Sequence, residues 1–279
     1  MLAENGRFML GHMTESIETF QIPIEAAERY EAEFVPAFFA QWAPILCTAA
    51  AVTAGQSVLD VGCGTGIVAR TAADLVAPVG SVTGLDLNDA MLTVARRVRP
   101  DLAWRQGDAC SLPFDERTFD VVLSQMALMF IPNRTAALSE MGRVAKHGGT
   151  LGLLVPSELE LQIAFAPFLD IVARHAGPEG LSLMSSYFVC GSLSRLTALV
   201  EAAGLTVTTS RIEAGTYTAP SIDAAVANEI ESTPLRQRIS DETYQEILDE
   251  AREQFAPYTT ADGTLNTPFE ANLVVARRP

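Results

Sequence analysis

From Ser57 to Val155 the chain alternates short runs of β-branched and apolar residues with stretches whose apolar positions recur every three or four residues. The short runs are Ser57–Val61, Val82–Asp86, Leu102–Gln106, Phe119–Ser124 and Thr150–Val155. Each is bounded by glycine or polar residues and reads as a buried strand. Between them, Met91, Val94, Ala95 and Val98 fall on one helical face, and Leu138, Met141 and Ala145 on another. Asn88 or Asp89 is placed to cap the first of these helices, and the Gly148-Gly149 pair to end the second. Strands alternating with helices predict parallel βαβ units, hence an α/β fold with a doubly wound sheet.

The flanks read as mainly helical. Pro23 to Val52 is rich in alanine and aromatics, and Pro36 and Pro44 are expected to break it into two or three short helices. Pro156 to Gly191 carries apolar residues at mixed spacing. Leu193, Leu196, Val200 and Ala203 form a stripe closed by Gly204, followed by a strand-like stretch from Leu205 to Tyr217. Tyr244, Ile247, Leu248, Ala251 and Phe255 make the clearest amphipathic stripe, and Ala271–Ala276 reads as a last strand.

Composition narrows the partners. The 279 residues are 48% hydrophobic and 19% charged, with a formal net charge of -15. So acidic a surface repels polyanions, which argues against nucleic acid. The four cysteines, Cys47, Cys63, Cys110 and Cys190, show no metal-ligand spacing, so free thiols in a reducing compartment are expected and no metal is indicated. The opening MLAENGRFMLGHMTES lacks an export pattern, and no uncharged apolar run reaches the roughly 18 residues of a membrane span. The expectation is a cytoplasmic protein without membrane attachment, monomeric or homodimeric.

The chemistry gathers in VLDVGCGTG, from Val58 to Gly66. A dinucleotide fingerprint would need its third glycine where Ile67 stands, and Asp60 would repel a pyrophosphate, so a nicotinamide oxidoreductase is disfavoured. Backbone brought close at Gly62 and Gly64 beside a carboxylate suits a ligand bearing an ammonium group. Asp86, ending the second strand, is placed to accept from both hydroxyls of a ribose, and Asp108, after the third, from an exocyclic amine. Capping or turn duty is the alternative for both aspartates.

With GLDLNDAML, QGDACSLPFDERTFDVVLSQ and RVAKHGGTLGLLV following in order, the chain resembles the class I S-adenosylmethionine-dependent methyltransferases, nearest their bacterial small-molecule and quinone-type branch. The resemblance covers Val58 to Val155 and implies S-adenosylmethionine as cofactor. Carried onto the matching positions, it implies that Asp60, Gly62, Cys63, Gly64, Thr65 and Gly66 hold the methionine end. Asp86 would hold the ribose, Asp108 with the Ala109 amide the adenine, and Ser124 and Gln125 would border the methionine moiety and the reacting methyl; Leu87 and Gly107 are counted among the cofactor contacts. The trailing pattern, from Ala202-Ala203-Gly204 to FEANLVVARR, resembles the last two antiparallel-paired strands of a seven-stranded, mostly parallel sheet of Rossmann-like type. The expected organisation is a helical lid at 1–52, a cofactor-binding core at 53–155, a helical cap at 156–192, and a remainder of the sheet at 193–279 with a helical insert at 220–258.

The implied reaction is transfer of a methyl group to oxygen, nitrogen or carbon of a small, mostly apolar metabolite, an in-line displacement in which positioning does much of the work. No obligatory catalytic side chain stands out. Glu158 and His175 are weak candidates: Glu158 is otherwise a solvated loop carboxylate, and His175 a residue favouring a helix C-terminus. His147 reads as a solvated turn histidine. Tyr30, Phe34, Phe38 and Phe39 either cover the cofactor as a lid, with Tyr30 touching it, or pack their own helix. Met126, Met129, Phe165, Phe168, Tyr187 and Phe188 are candidates for lining the acceptor pocket, or equally for the core. The alternative function is an S-adenosylmethionine-binding regulatory or non-methylating protein.

Overall fold

The computed structural model describes residues 19–279; the first 18 residues of the expected lid, with the opening segment read for export, lie outside the described residues. The seven strands are β1 (Ser57–Val61), β2 (Ser81–Asp86), β3 (Ala103–Gln106), β4 (Phe119–Gln125), β5 (Ala145–Pro156), β6 (Thr206–Ala219) and β7 (Leu265–Arg277). They form one sheet in the order β3-β2-β1-β4-β5-β7-β6. β1 to β5 pair in parallel, while β7 runs antiparallel to both β5 and β6. The strand order reverses between β1 and β4, and open α/β sheets bind ligands in the crevice at that point.

The helices within the parallel half are α3 (Ile67–Val76), α4 (Asp89–Val98) and α5 (Arg134–Val144), preceded in the chain by α1 (Ile24–Arg29) and α2 (Trp42–Ala49). Beyond β5 come α6 (Phe165–His175), α7 (Gly177–Ser185) and α8 (Leu193–Ala202), and the connection from β6 to β7 holds α9 (Ile222–Glu231) and α10 (Asp241–Phe255). The sheet's inner strands are buried on both faces, as a doubly wound sheet requires: Val58, Leu59, Val121, Val122, Leu123, Leu153 and Leu154 are fully enclosed.

Two details depart from the pattern reading. α5 ends at Val144 and Ala145 already belongs to β5, so Gly148-Gly149 does not close the helix. Gly148, at φ 71°, lies within β5 where the register to β4 shifts, and Arg278 closes back on this segment through a bond from Gly148 N–H to its carbonyl. Nor does Pro36 break its helix. Tyr30–Phe39 is a π-helical run with Pro36 inside it, its wider bonding shown by Ala40 N–H donating to Val35 O. A proline lacks the N–H and crowds the preceding turn, and the wider coil accommodates both defects. Pro44 sits in the first turn of α2, where a missing N–H costs little.

Trp42, fully buried, fixes this segment to the sheet. It packs edge-on to Phe38 and Phe269, and a side chain at Gly215 on β6 would strike its ring. Trp42→Ala is therefore expected to cost about 3–5 kcal/mol of stability, read as a lower midpoint in urea denaturation; a change under about 1 kcal/mol would mean the ring is not a core element.

Candidate cofactor and acceptor site

The crevice is built from three turns at the carboxyl ends of β1, β2 and β3. After β1 the chain turns through Gly62, Gly64 and Gly66, at φ 70°, 53° and 94°, before entering α3. Each glycine answers a different constraint. A Cβ on Gly62 would collide with that of Ala127, one on Gly66 with the Trp104 ring, and one on Gly64 would meet nothing within 4 Å. The open side at Gly64 is where backbone can lie against a ligand.

Gly66 has no side chain to cap α3, and Asp60 does it from the strand: its Oδ2 accepts from Ala69 N–H at 3.0 Å. The other oxygen, Oδ1, is buried and has no partner. Burial pushes this carboxyl up to about 7, against the Ala69 bond, which lowers it. Asp86 likewise ties two turns together, accepting from Gly64 N–H and Asn88 N–H, both at 2.8 Å. Its carboxyl is also raised, chiefly by burial. Asn88 in turn caps α4 through Ala90 N–H and donates to Ile22 O. Asp108 accepts from Cys110 N–H at 2.8 Å within its own turn. Each aspartate thus has a local structural duty and also lines the cavity, and a carboxylate with one or two bonds made has acceptor capacity left.

Over this rim lies the segment from Ile22 to Phe39. Arg70 locks it to the glycine turn, donating to Thr65 O at 2.7 Å and pairing with Glu31 at 2.9 Å. α1 packs on α4 through Ile22, Ala26, Ala27, Met91 and Val94. The Tyr30 ring packs on Phe34 and Phe39, and the residue also lines the cavity. Burial pushes the Tyr30 phenol well up, with the charges of Asp86, Glu31 and Asp60 acting in the same direction.

The cavity so enclosed is about 590 Å³. Of the positions read as contacting the cofactor, Tyr30, Asp60, Gly62, Cys63, Gly64, Asp86, Leu87, Gly107, Asp108, Ala109 and Gln125 line it. Thr65, Gly66 and Ser124 do not: Thr65 and Ser124 are buried with unpaired hydroxyls, and Gly66 faces Trp104. Gln125 donates to Phe39 O at 3.1 Å, leaving its own carbonyl oxygen buried and unpaired. Met126, Met129, Phe165 and Tyr187 line the same cavity, whereas Phe168 borders a small apolar annex and Phe188 a separate surface cleft.

The structure brings neither weak catalytic candidate here. Glu158 borders the surface cleft beside Arg195, and His175 sits on the outside of α6, its Nε2 2.6 Å from Glu250 Oε2 on α10. His147 is exposed in β5, its Nδ1 2.8 Å from Pro279 O. The residue that sequence reasoning passed over is Glu229, on α9. It is 6% exposed, lines the cavity, and holds an unpaired Oε2. Burial alone pushes its carboxyl up to about 8.

Gly62→Ala tests the turn geometry. Positive φ costs an alanine roughly 1–2 kcal/mol and its methyl has no room against Ala127, so the turn must shift. At least tenfold weaker binding of S-adenosylhomocysteine by calorimetry is the expected result, about 1.4 kcal/mol; unchanged affinity would mean the turn does not shape the site.

The fold is shared with solved methyltransferase structures, and residues 59–153 match the family model described as a methyltransferase domain. Among curated proteins the chain is similar to the demethylmenaquinone methyltransferase of Tropheryma whipplei, 37% identical over 153 residues, which are 53% of this chain and 60% of that one. It is also similar to the enzyme of the same name from Shouchella clausii, 40% identical over 112 residues, covering 38% and 48%. The chain thus spans about half the length of the curated relatives it matches. Among solved structures, a Bacillus halodurans protein provisionally named a methyltransferase superposes with a TM-score of 0.59 at 26% identity, over 85% of this chain and 98% of that one. The Haemonchus contortus phosphoethanolamine N-methyltransferase 2, solved with S-adenosyl-L-methionine, shares the fold at a TM-score of 0.58 and 20% identity, over 92% and 57%.

Proposed function

We propose that the protein binds S-adenosylmethionine in this cavity and transfers its methyl group to a small, mostly apolar acceptor. The observation that carries the reading is Asp60, a residue of the cavity lining whose buried Oδ1 has no partner, beside a glycine turn that is open at Gly64. An uncompensated carboxylate there is costly, and a ligand ammonium cancels the cost. The residues fit the rest of the cofactor as well: Asp86 for a ribose diol, and Asp108 with the Ala109 amide for an adenine edge. When bound, the cofactor supplies a methyl carbon activated by a sulfonium.

The chain's own part is to bind, orient and exclude water. Asp60 and the turn from Gly62 would hold one end of the cofactor and Asp108 the other, and Gln125, Met126 and the aromatic residues line the rest of the same cavity. The Tyr30–Phe39 segment, latched by the Arg70–Glu31 pair, closes the site from solvent. The aromatic and methionine lining favours an acceptor with a large apolar surface, and a ring such as the relatives' names imply is one member of that class.

Incubation with methyl-labelled S-adenosylmethionine and a cell metabolite extract tests the reading. Label is expected in a small apolar product. Cofactor binding without any labelled product would instead establish a binding or regulatory role, and absence of cofactor binding would refute both.

A further inference from the structure

The far half of the cavity is an aromatic box with an acid in it. Phe34, Phe38, Tyr217 and Phe269 form a connected set, with ring centroids 5.8 Å apart for Phe34 and Tyr217, 5.6 Å for Phe38 and Tyr217, and 4.7 Å for Phe38 and Phe269. All four line the cavity, and Glu229 enters among them from α9.

α9 is held in place on every side. Ser221 caps it by accepting from Ala224 N–H, and the Tyr217 hydroxyl donates to Ala225 O at 3.1 Å. Glu231 pairs with Arg29 of α1 at 2.8 Å, and Asp223 with Arg252 of α10 at 2.6 Å. The carboxyl of Glu229 is therefore positioned by the fold, and yet its Oε2 bonds to nothing. A core role would be served as well by leucine or glutamine, without the penalty of an unmatched buried acid.

The charge of the cavity says what would match it. Its described lining contains four carboxyl groups, on Asp60, Asp86, Asp108 and Glu229, and no lysine, arginine or histidine. An acceptor carrying a phosphate or carboxylate would meet only like charge. A neutral acceptor would leave Glu229 unmatched. A cationic nitrogen satisfies both the carboxyl group and the aromatic faces, which attract cations, and the net charge of -15 draws cations toward the protein.

We propose that the acceptor is a lipophilic amine, held as its ammonium ion by the Glu229 carboxylate beside Phe34, Phe38, Tyr217 and Phe269. The carboxylate then takes one N–H proton from the ammonium, leaving a neutral amine with a free lone pair and the proton on the Glu229 carboxyl group. This rests on the proposed methyltransferase reading, and is tested without turnover.

The probes are three molecules of similar size: 2-phenylethylamine, 2-phenylethanol and 3-phenylpropionate. Each is titrated by calorimetry into the protein saturated with S-adenosylhomocysteine. The amine is expected to bind at least about tenfold more tightly than the alcohol, and the carboxylate not to bind. In Glu229→Gln the amine and alcohol are expected to bind alike, with affinity for S-adenosylhomocysteine and melting temperature no lower than in the native protein. An alcohol as tight as the amine, a preference that survives in Glu229→Gln, or no binding of any probe would overturn the proposal. The native comparison decides the matter even if the variant fails to fold. Failure of S-adenosylhomocysteine to bind would instead overturn the reading beneath it.

Discussion

Asp86→Ala is expected to reduce affinity for S-adenosylhomocysteine at least a hundredfold, the largest loss of any single substitution in the site. In the free protein both carboxylate oxygens are engaged, one by Gly64 N–H and the other by Asn88 N–H. Each oxygen keeps lone pairs, and a ribose diol would use them. Hydrogen bonds to a charged group contribute about 1.5–3 kcal/mol each, so losing two exceeds the roughly 2.7 kcal/mol that a hundredfold represents. Alanine also releases the Gly64 and Asn88 amides, which loosens the turn that should lie against the ligand. Asp86→Asn keeps one acceptor oxygen and the side-chain shape, and should fall between native and alanine. Calorimetric titration of the three proteins makes the check, and native-like affinity in the alanine variant would remove Asp86 from the site.

Asp60→Asn is expected to stabilise the unliganded protein at alkaline pH while weakening cofactor binding. The folded carboxyl holds its proton to about pH 7, whereas in the unfolded chain it releases it near pH 4. Between these values the folded state carries more protons than the unfolded, so stability falls as pH rises through the window and levels off above it. The full effect is roughly 4 kcal/mol. Glu229, raised to about 8 by burial, acts in the same direction over a window that ends higher. Asparagine removes the Asp60 part, can still accept from Ala69 N–H, and turns a donor toward any ligand ammonium. Melting temperatures from pH 5 to 9 should therefore drop more steeply in the native protein than in Asp60→Asn. A native melting temperature that rises relative to the variant across that range would contradict the assignment. Saturating S-adenosylhomocysteine should flatten the native curve, because an ammonium beside Asp60 favours the ionised form.

The sheet was legible because its strands are short, β-branched and separated by helices with regular stripes, a pattern that few other arrangements can bury. The rim was legible because Asp60, Asp86 and Asp108 lie at or just beyond the carboxyl ends of three successive strands. Whether they were caps or ligand contacts could not be read from the chain, and the two are hard to separate because the aspartates that hold these turns also line the cavity. The helix end at Val144 was misread because Ala145 suits both a helical stripe and a buried strand. Pro36 was misread because a proline argues against a regular α-helix, and says less about a π-helical coil. Glu229 was missed because a glutamate in a helix is ordinarily solvated. Its signal was its place between Val226 and Ile230, on the same face as Ala225, where the helix buries its apolar side. His175 and Glu158 drew notice as chemically able groups, but topology sends one to the outer face of α6 and the other to a separate cleft.

The most direct test of the account is a crystal structure of the protein with S-adenosylhomocysteine. The account predicts the ligand's ammonium on Asp60 Oδ1, its ribose hydroxyls on Asp86, its adenine beside Asp108, and its sulfur turned toward Gln125 and the aromatic half that holds Glu229. A ligand bound elsewhere, or a rim that instead takes a phosphate-bearing nucleotide, would contradict it.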